Sequence, residues 1–394
     1  MIQNRFIITV ANFIAVGCMG MSMGFLGPSL PALRESLKID LESAGLFTSG
    51  IQFGYGLMGT VGGILSDLFP GERVLAAGCG FLGGSALLFG LWMSFSLNLI
   101  FVVLMGVGCG LILGSSHAVL IGLHPRRKGS ILNFHHIFAA LGSLIGPLVI
   151  GILLSRQERW QYGYESLGVL VLVLAAFLTF VRAPKGEIKN RVRFGQIGLL
   201  ARHKNFIFLV LVDFLSMGTQ FSVIYLSVTF LKEAKGFSVV AASAVLSAFF
   251  IFMILGRLIC GWVMVRTLNT RILLILLLSL VVVSFLGGRG EGWISAAGIM
   301  LTGLAISGIF PSLVALTGEI FQNLAGTAMG FMVMMSGFGG MFFCWLTAVV
   351  SQKAEAGFGF IVPLVAAILA LLIFSAQYRS LREGELKRRA RFGG

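Results

Sequence analysis

Long apolar runs recur along the whole chain, and short stretches that carry charge separate each run from the next. A run of about 20 apolar residues is long enough for a helix to cross a bilayer. Hydrophobic residues make up 57% of the 394 and charged residues 11%, whereas about a quarter of an ordinary soluble domain is charged. Because no water-soluble core can hold so much apolar sequence, we predict an all-α membrane protein.

The apolar runs predict twelve transmembrane helices in two groups of six. The first six are expected near residues 6–30, 41–65, 73–93, 97–121, 130–154 and 163–180. The second six are expected near residues 205–231, 237–257, 271–286, 293–316, 325–350 and 358–374. The predicted domains are a six-helix bundle (1–181), a basic linker (182–204), a second six-helix bundle (205–378) and a basic tail (379–394).

The net charge of +14 arises from Lys and Arg residues in the connections between the apolar runs. Positive residues concentrate in the cytoplasmic loops of membrane proteins. Most of the 29 Lys and Arg residues fall on the inner side if both termini are cytoplasmic. We therefore expect a multi-pass protein of the inner (cytoplasmic) membrane, surrounded by lipid, with no nucleic-acid partner. The five cysteines lie singly in apolar runs, so neither a metal nor a cofactor is expected.

The connection after the second run reads from Gly63 to Arg73 and includes Leu65 and Asp67. It resembles the GxLxDRxGRR signature of the major facilitator superfamily, with Leu68 in place of the first arginine. A carboxylate at the end of one helix can meet the positive amino end of another. The resemblance implies that Gly63, Asp67 and Arg73 form a conformational latch, and an ordinary turn is the alternative.

The second half contains a similar helix end, Gly256-Arg257 followed by Gly261. It matches a GRxxxG pattern of the same superfamily, and Arg257 is expected at the cytoplasmic surface as a latch or as an anchor. Shifting the chain by half its length aligns glycines of segment 106–147 with glycines of segment 303–344. The resemblance implies two similar bundles around a central cavity that opens to one side at a time.

The most specific stretch, residues 132–147, resembles the LNxxHxxFxxGxxxGP pattern of the fucose permease-like branch, and residues 308–316 resemble its tenth helix. Fucose itself is not carried over, because the first and fourth runs lack the interior carboxylates of the fucose permease. The GxxxGP portion also resembles proton-driven drug antiporters. The residues predicted to kink these helices are Gly142, Gly146, Pro147 and Pro311.

Ionisable groups inside membrane spans are functional candidates by default. Asp213 is the only acid well inside a predicted span, about 12 Å from its cytoplasmic end at the helical rise per residue. His136 lies about two turns into the fifth span. We predict that Asp213 and His136 couple transport to protons, with a structural role as the alternative. His135 is expected to point elsewhere, and His117 to lie nearer a helix end.

No enzyme signature and no nucleotide-binding loop is found, so we predict a secondary transporter that binds a small molecule, uses a proton gradient and functions as a monomer. Two function classes stay open: proton-coupled uptake of a small polar, sugar-like solute, and proton-driven efflux of amphipathic compounds. Polar groups decide between them, because a sugar site must replace water with matching hydroxyl and amide groups. The residues predicted to bind substrate are Asn12, Gln52, Tyr55, Ser116, Asn133, Gln220 and Tyr225.

Overall fold

The computed structural model describes residues 4–124, 128–182, 197–200, 202–264, 266–354 and 357–392. The first half contributes α1 (Arg5–Leu37), α2 (Leu41–Leu68), α3 (Gly71–Leu88), α4 (Phe95–Leu123), α5 (Lys128–Ser155) and α6 (Gln161–Thr179). A short helix, α7 (Ile197–Leu200), precedes the second half. That half contributes α8 (Lys204–Lys235), α9 (Val239–Met264), α10 (Asn269–Arg289), α11 (Gly292–Ile306), α12 (Ile309–Ile320), α13 (Ala325–Ala354) and α14 (Ile361–Phe392).

In the described part of the chain, ten helical segments are long and apolar enough to cross a membrane, with α11 and α12 counted as one segment, Gly292–Ile320. The two further long helices, α2 and α3, pack inside the same assembly. They bring the first half to six long helices, which equals the six segments of the second half, as the apolar runs predict. Large exposed apolar side chains such as Val173, Trp262 and Phe285 suit a surface that faces lipid rather than water.

Several predicted boundaries need correction. Helices α1 and α9 each continue about two turns beyond the predicted ends of their spans, to Leu37 and Met264. The third span ends at Leu88 rather than near residue 93, because the chain turns at Gly90, whose φ is 81°. The amide of Asn98 fixes this turn by accepting from the Gly90 N–H and donating to the Trp92 carbonyl. The tenth span is interrupted between Ile306 and Ile309.

The break in the tenth span lies just before Pro311, which was predicted to kink a helix. Proline lacks the N–H that would bond to the carbonyl of Ser307, four residues earlier. The N–H of the next residue, Ser312, bonds to the carbonyl of Gly308, so α12 begins there. The last span differs too, since α14 continues without a break through the predicted tail as far as Phe392.

Close glycine contacts hold α1 against α5. A Cβ atom at Gly20 would overlap the backbone of Ala139, and one at Gly142 would overlap the backbone of Gly17. Gly146 faces the backbone of Gly24 in the same way. Small residues allow membrane helices to approach closely. Gly142 and Gly146, which were predicted as kink residues, therefore act as packing surfaces that set the position of α5.

The two bundles meet along two main seams, α2 with α13 and α5 with α9. Hydroxyl groups bridge both seams: Ser49 donates to the carbonyl of Met341 at 2.8 Å, and Ser247 donates to that of Leu144 at 2.9 Å. Helix α1 also contacts α8. We call the side where α1 begins and α14 ends the terminal side, and the opposite side the distal side.

Candidate functional site

A cavity of about 150 Å³ lies between the two bundles. Residues from α1, α2, α4 and α5 line one wall, and residues from α8, α9, α12 and α13 line the other. Most of the lining is apolar and includes flexible methionines and aromatic rings, namely Met19, Met23, Met217, Met253, Phe221 and Phe250. Thioether and aromatic side chains accommodate apolar ligands of varied shape.

The imidazole and guanidinium groups of the lining lie toward the terminal side. Tyr55 of α2, His117 of α4, His136 of α5 and Arg257 of α9 all line the cavity. The Arg257 Nη1 donates to the backbone carbonyl of His136 at 3.3 Å. Its Nε is buried without a hydrogen-bond partner in the described structure. The guanidinium therefore links α9 to α5 across the bundle seam and still has unused donors.

Three imidazole rings lie beside this guanidinium. The ring centroids of His117 and His135 are 4.5 Å apart, and His136 lies 5.3 Å from His117 and 5.0 Å from His135. His117 Nε2 and both ring nitrogens of His135 are buried and unpartnered within the described residues. The expectation that His135 points away is wrong, because its ring lies against His117 of α4, as the ring of His136 does.

The three rings could also be considered as ligands for a transition metal. Their ligand nitrogens lie within 4.8 Å of one another. Around tetrahedral zinc, ligand nitrogens are about 3.4 Å apart, so the rings would have to converge. The adjacent positive charge of Arg257 opposes a cation at this place. The sequence gives no sign of this cluster, since His117 is distant in the chain from His135 and His136.

Asp213 is fully buried in α8 and accepts a hydrogen bond from the Ser336 hydroxyl of α13 at 2.6 Å. Ser336 also lies within 2.9 Å of the Met332 carbonyl and lines the cavity. The second carboxyl oxygen of Asp213 has no partner among the described residues. A single shared hydroxyl is weak compensation for removing a carboxylate from water. Asp213 therefore sits one side chain away from the cavity as a poorly compensated acid.

Two of the predicted substrate residues, Gln220 and Tyr225, line the cavity from α8, and Tyr55 lines it from α2. Gln52 is fully buried beside them. Its Nε2 donates to the Tyr225 hydroxyl at 2.9 Å, which joins α2 to α8 across the bundles. Gln52 is therefore placed to orient Tyr225 rather than to contact a solute directly.

Asn12 and Ser116 bond to each other instead of facing the cavity. The Ser116 hydroxyl donates to Asn12 Oδ1 at 2.5 Å, and both residues are fully buried between α1 and α4. This arrangement differs from the predicted contact with substrate, because each side chain is turned toward the other helix rather than toward the cavity. The side chain of Asn133 lies outside the described residues.

Sequence comparison identifies the family. The profile of the Major Facilitator Superfamily matches residues 13–342, which is most of the chain. The chain belongs to the Major Facilitator Superfamily. It is thus a multi-pass membrane transporter and not an enzyme.

Individual relatives are more distant. The chain is 26% identical to a lincomycin resistance protein of Streptomyces lincolnensis over 167 residues, which are 42% of this chain and 34% of that protein. The matched part thus spans about a third of the relative's length.

Two solved structures illustrate the shared fold. A variant of the nucleoside transporter NupG is similar with a TM-score of 0.77 and 15% identity, over 93% of this chain and 98% of that one. The fucose:proton symporter FucP of E. coli is similar with a TM-score of 0.61 and 18% identity, over 93% and 99% of the two chains. The second likeness agrees at the level of fold with the resemblance to the fucose permease-like branch.

The superfamily latch motif falls where α2 ends and α3 begins. Asp67 lies in the last turn of α2 and is half-buried, and Gly63 lies one turn earlier. The backbone of Gly63 is approached by Gly114 of α4, where a Cβ would come within 2.5 Å of the Gly63 nitrogen. Arg73 is exposed in the first turn of α3. The latch remains a prediction.

The prediction that Arg257 lies at the cytoplasmic surface is wrong. Helix α9 continues to Met264, which places Arg257 about 10 Å inside the helix end at the usual rise per residue. Its neighbour Gly256 packs against Ser307 at the break in the tenth span, where a Cβ added to Gly256 would lie 2.8 Å from the Ser307 Cβ. That contact leaves Arg257 facing the cavity.

The distal side carries a contact that the sequence does not reveal. Arg34 at the end of α1 pairs with Glu233 at the end of α8 at 2.5 Å. Nearby, the backbone N–H of Leu41 donates to the Gln352 side chain of α13 at 3.0 Å. Both contacts join the two bundles of this transporter. Charged residues at helix ends are common, so their spacing in the sequence gives no signal of pairing.

Proposed function

We propose that this transporter moves amphipathic small molecules through alternating access and couples their movement to protons. The observation that carries the proposal is the central cavity, in which methionine and aromatic side chains surround a few polar groups and a buried acid lies directly behind Ser336. A ligand with an apolar body and a polar end fits such a lining. The apolar body would contact the methionine and aromatic side chains, and the polar end would contact the polar groups.

Export of amphipathic compounds is the direction that we favour. The partial similarity to a lincomycin resistance protein supports this choice. Uptake of a sugar-like solute is the second candidate, supported by Tyr55, Gln220 and Tyr225 on the cavity wall. Asn12 and Ser116 add nothing to that lining, since they bond to each other. A cavity with so few free hydroxyl and amide groups replaces the water shell of a sugar poorly.

Protons are the proposed coupling ion, and Asp213 is the proposed carrier. Burial with one hydrogen bond makes the charged carboxylate costly in the present state. Rocking of one bundle against the other would give Asp213 water in one state and none in the other. The side chain would then bind and release a proton once in each cycle. His136 faces the same cavity and is the second proposed proton site.

We further propose that the terminal side faces the cytoplasm of the inner membrane. The basic linker and the basic tail, which are the most positive segments, would then lie inside the cell. Arg257, His117 and His136 would occupy the cytoplasmic half of the cavity. The protein would act as a monomer, since the cavity is formed completely within one chain.

Proteoliposomes loaded with the pH-sensitive dye pyranine would test the proposal. Lincomycin, uridine and fucose are added separately, and dye-loaded vesicles without protein correct for unaided permeation. We expect a lumenal pH change with lincomycin that Asp213→Asn abolishes, while unlabelled lincomycin still exchanges with labelled lincomycin in that variant. Asp40→Asn, which alters an exposed acid before α2, is the matched control. A pH change with fucose alone would favour the second candidate.

A further inference from the structure

Arg257 has no carboxylate partner in the described structure, although it lies within a membrane-spanning helix. Its guanidinium contacts a carbonyl oxygen at 3.3 Å and the Met253 sulfur at 4.0 Å, and its Nε is unpartnered. Buried cations are normally paired, because removing a charge from water is costly. An ion pair that is completed only when a ligand arrives would explain an arginine held in this state.

The groups around Arg257 suit a negatively charged ligand. Tyr55, His117 and His136 face the same part of the cavity, and each can donate a hydrogen bond through its hydroxyl or a ring N–H. None of the described lining residues is Asp or Glu. The nearby acid, Asp213, is turned toward Ser336. A planar guanidinium with free N–H groups can form a bidentate pair of hydrogen bonds with a carboxylate.

We propose that Arg257, His117 and His136 form an anion subsite that binds the carboxylate of amphipathic organic acids, as one substrate class among the amphipathic compounds of the proposed function, on which this inference rests. The apolar body of the acid packs against the methionine and aromatic wall, and its carboxylate completes the ion pair with Arg257. The subsite accounts for the presence of a guanidinium and two imidazole groups in the lining of a mostly apolar cavity.

A matched set of ligands tests the subsite in purified protein. The probes are 4-phenylbutyrate, 4-phenylbutyramide and 4-phenylbutylamine, which share one apolar body and carry a negative, neutral or positive end. Calorimetric titration gives each Kd. In the parent protein the anion should bind more tightly than the amide and the amine. Arg257→Met should weaken anion binding roughly 10- to 100-fold, the range for a lost hydrogen-bonded charge pair, and should leave amide binding within about twofold.

Controls separate recognition from folding. Arg266→Gln removes a positive charge just beyond the end of α9, where Arg266 stacks over the exposed Trp262, and should leave all three Kd values unchanged. Arg257→Lys keeps the charge and should retain part of the anion preference, and His117→Gln should weaken anion binding less than Arg257→Met. These two variants carry the test if Arg257→Met does not fold.

Three results would overturn the subsite: equal binding of the anion and the amide to the parent, equal weakening of both by Arg257→Met, or Zn²⁺ binding that His117→Gln and His135→Gln abolish. The last result would assign the rings to a cation. Each result leaves proton coupling intact, because that rests on lincomycin-driven pH changes and Asp213→Asn. Conversely, normal pH changes in Asp213→Asn would show that coupling does not depend on Asp213, and the ligand preference would still be measurable.

Discussion

At the scale of single residues, the hydroxyl of Ser336 holds two parts of the proposed mechanism together. It donates to the buried Asp213 carboxyl on α8 and forms part of the cavity lining on α13. A solute in the cavity therefore reaches Asp213 through one side chain. Because α8 and α13 belong to the same bundle, this bond links the acid to the cavity wall within the second bundle.

Ser336→Ala tests that link. The change removes the hydroxyl that donates to Asp213, at a cost of about 1 kcal/mol for a hydrogen bond between membrane helices. We expect a small loss of thermal stability in detergent and a clear slowing of solute-driven pH change, although less than with Asp213→Asn. Ser279→Ala, which removes only a bond to the Ile275 carbonyl in α10, should alter neither measurement. Equal effects of the two alanine variants would contradict the link.

The sequence correctly predicts that Asp213 is buried and wrongly predicts that Arg257 lies at the surface. Both predictions rest on the rule that charged residues normally lie at the ends of membrane spans. An acid inside an apolar run cannot be a topology anchor, so its position marks it as special. An arginine near the end of an apolar run looks like an anchor, because positive residues normally end membrane spans. Only the continuation of α9 to Met264 and the packing of Gly256 show that Arg257 faces inward.

At the scale of helices, the length of each apolar run fixed most boundaries within a few residues, because a span must satisfy its backbone hydrogen bonds internally. What a helix does beyond the membrane is set by contacts that no run length encodes. The end of α14 is an example: the buried Glu385 accepts from the backbone N–H groups of Asn269 and Thr270 and from the Thr270 hydroxyl. The predicted basic tail thus includes an N-terminal cap for α10.

Glu385→Gln tests the cap. A carboxylate at a helix amino end is favoured by the helix dipole and by the unpaired N–H groups there. We expect the free energy of unfolding to fall by roughly 1–3 kcal/mol, the cost of weakening a buried charged hydrogen-bond set. Thermal unfolding of purified protein would measure the change. Glu383→Gln, two residues earlier and exposed, is the control and should unfold like the parent.

The glycine seam between α1 and α5 gives a second prediction at this scale. Gly142→Ala places a methyl group into the backbone of Gly17, so the helices must separate and the histidine-bearing face of α5 must shift. We expect lower thermal stability and weaker ligand binding. Gly84→Ala in α3 meets nothing within 4 Å and should be neutral or slightly stabilising, since alanine favours helix over glycine. If neither variant lowers thermal stability or ligand binding, α5 can shift without disturbing the site, which would contradict the prediction.

At the scale of the whole molecule, the contacts between the bundles decide which side of the cavity is closed. On the distal side, Arg34 pairs with Glu233, and Leu41 bonds to Gln352. Transporters of this fold expose a central site by rocking one bundle against the other. The distal contacts must therefore break in each cycle if this chain moves in the same way. Their individual strength is small, because partly exposed ion pairs contribute little net stability.

Cross-linking the distal side tests whether the bundles must separate. In the Arg34→Cys, Glu233→Cys double variant, a short reducible bis-methanethiosulfonate reagent joins α1 to α8 at the place of the ion pair. The five native cysteines are all buried, so background reaction is low. We expect the cross-linked protein to lose solute-driven pH change and to regain it after reduction, because a tether across the seam blocks the distal opening. Each single cysteine variant, treated identically, should retain activity. Full transport by the cross-linked protein would mean that the distal seam stays closed throughout the cycle and that the solute takes another route.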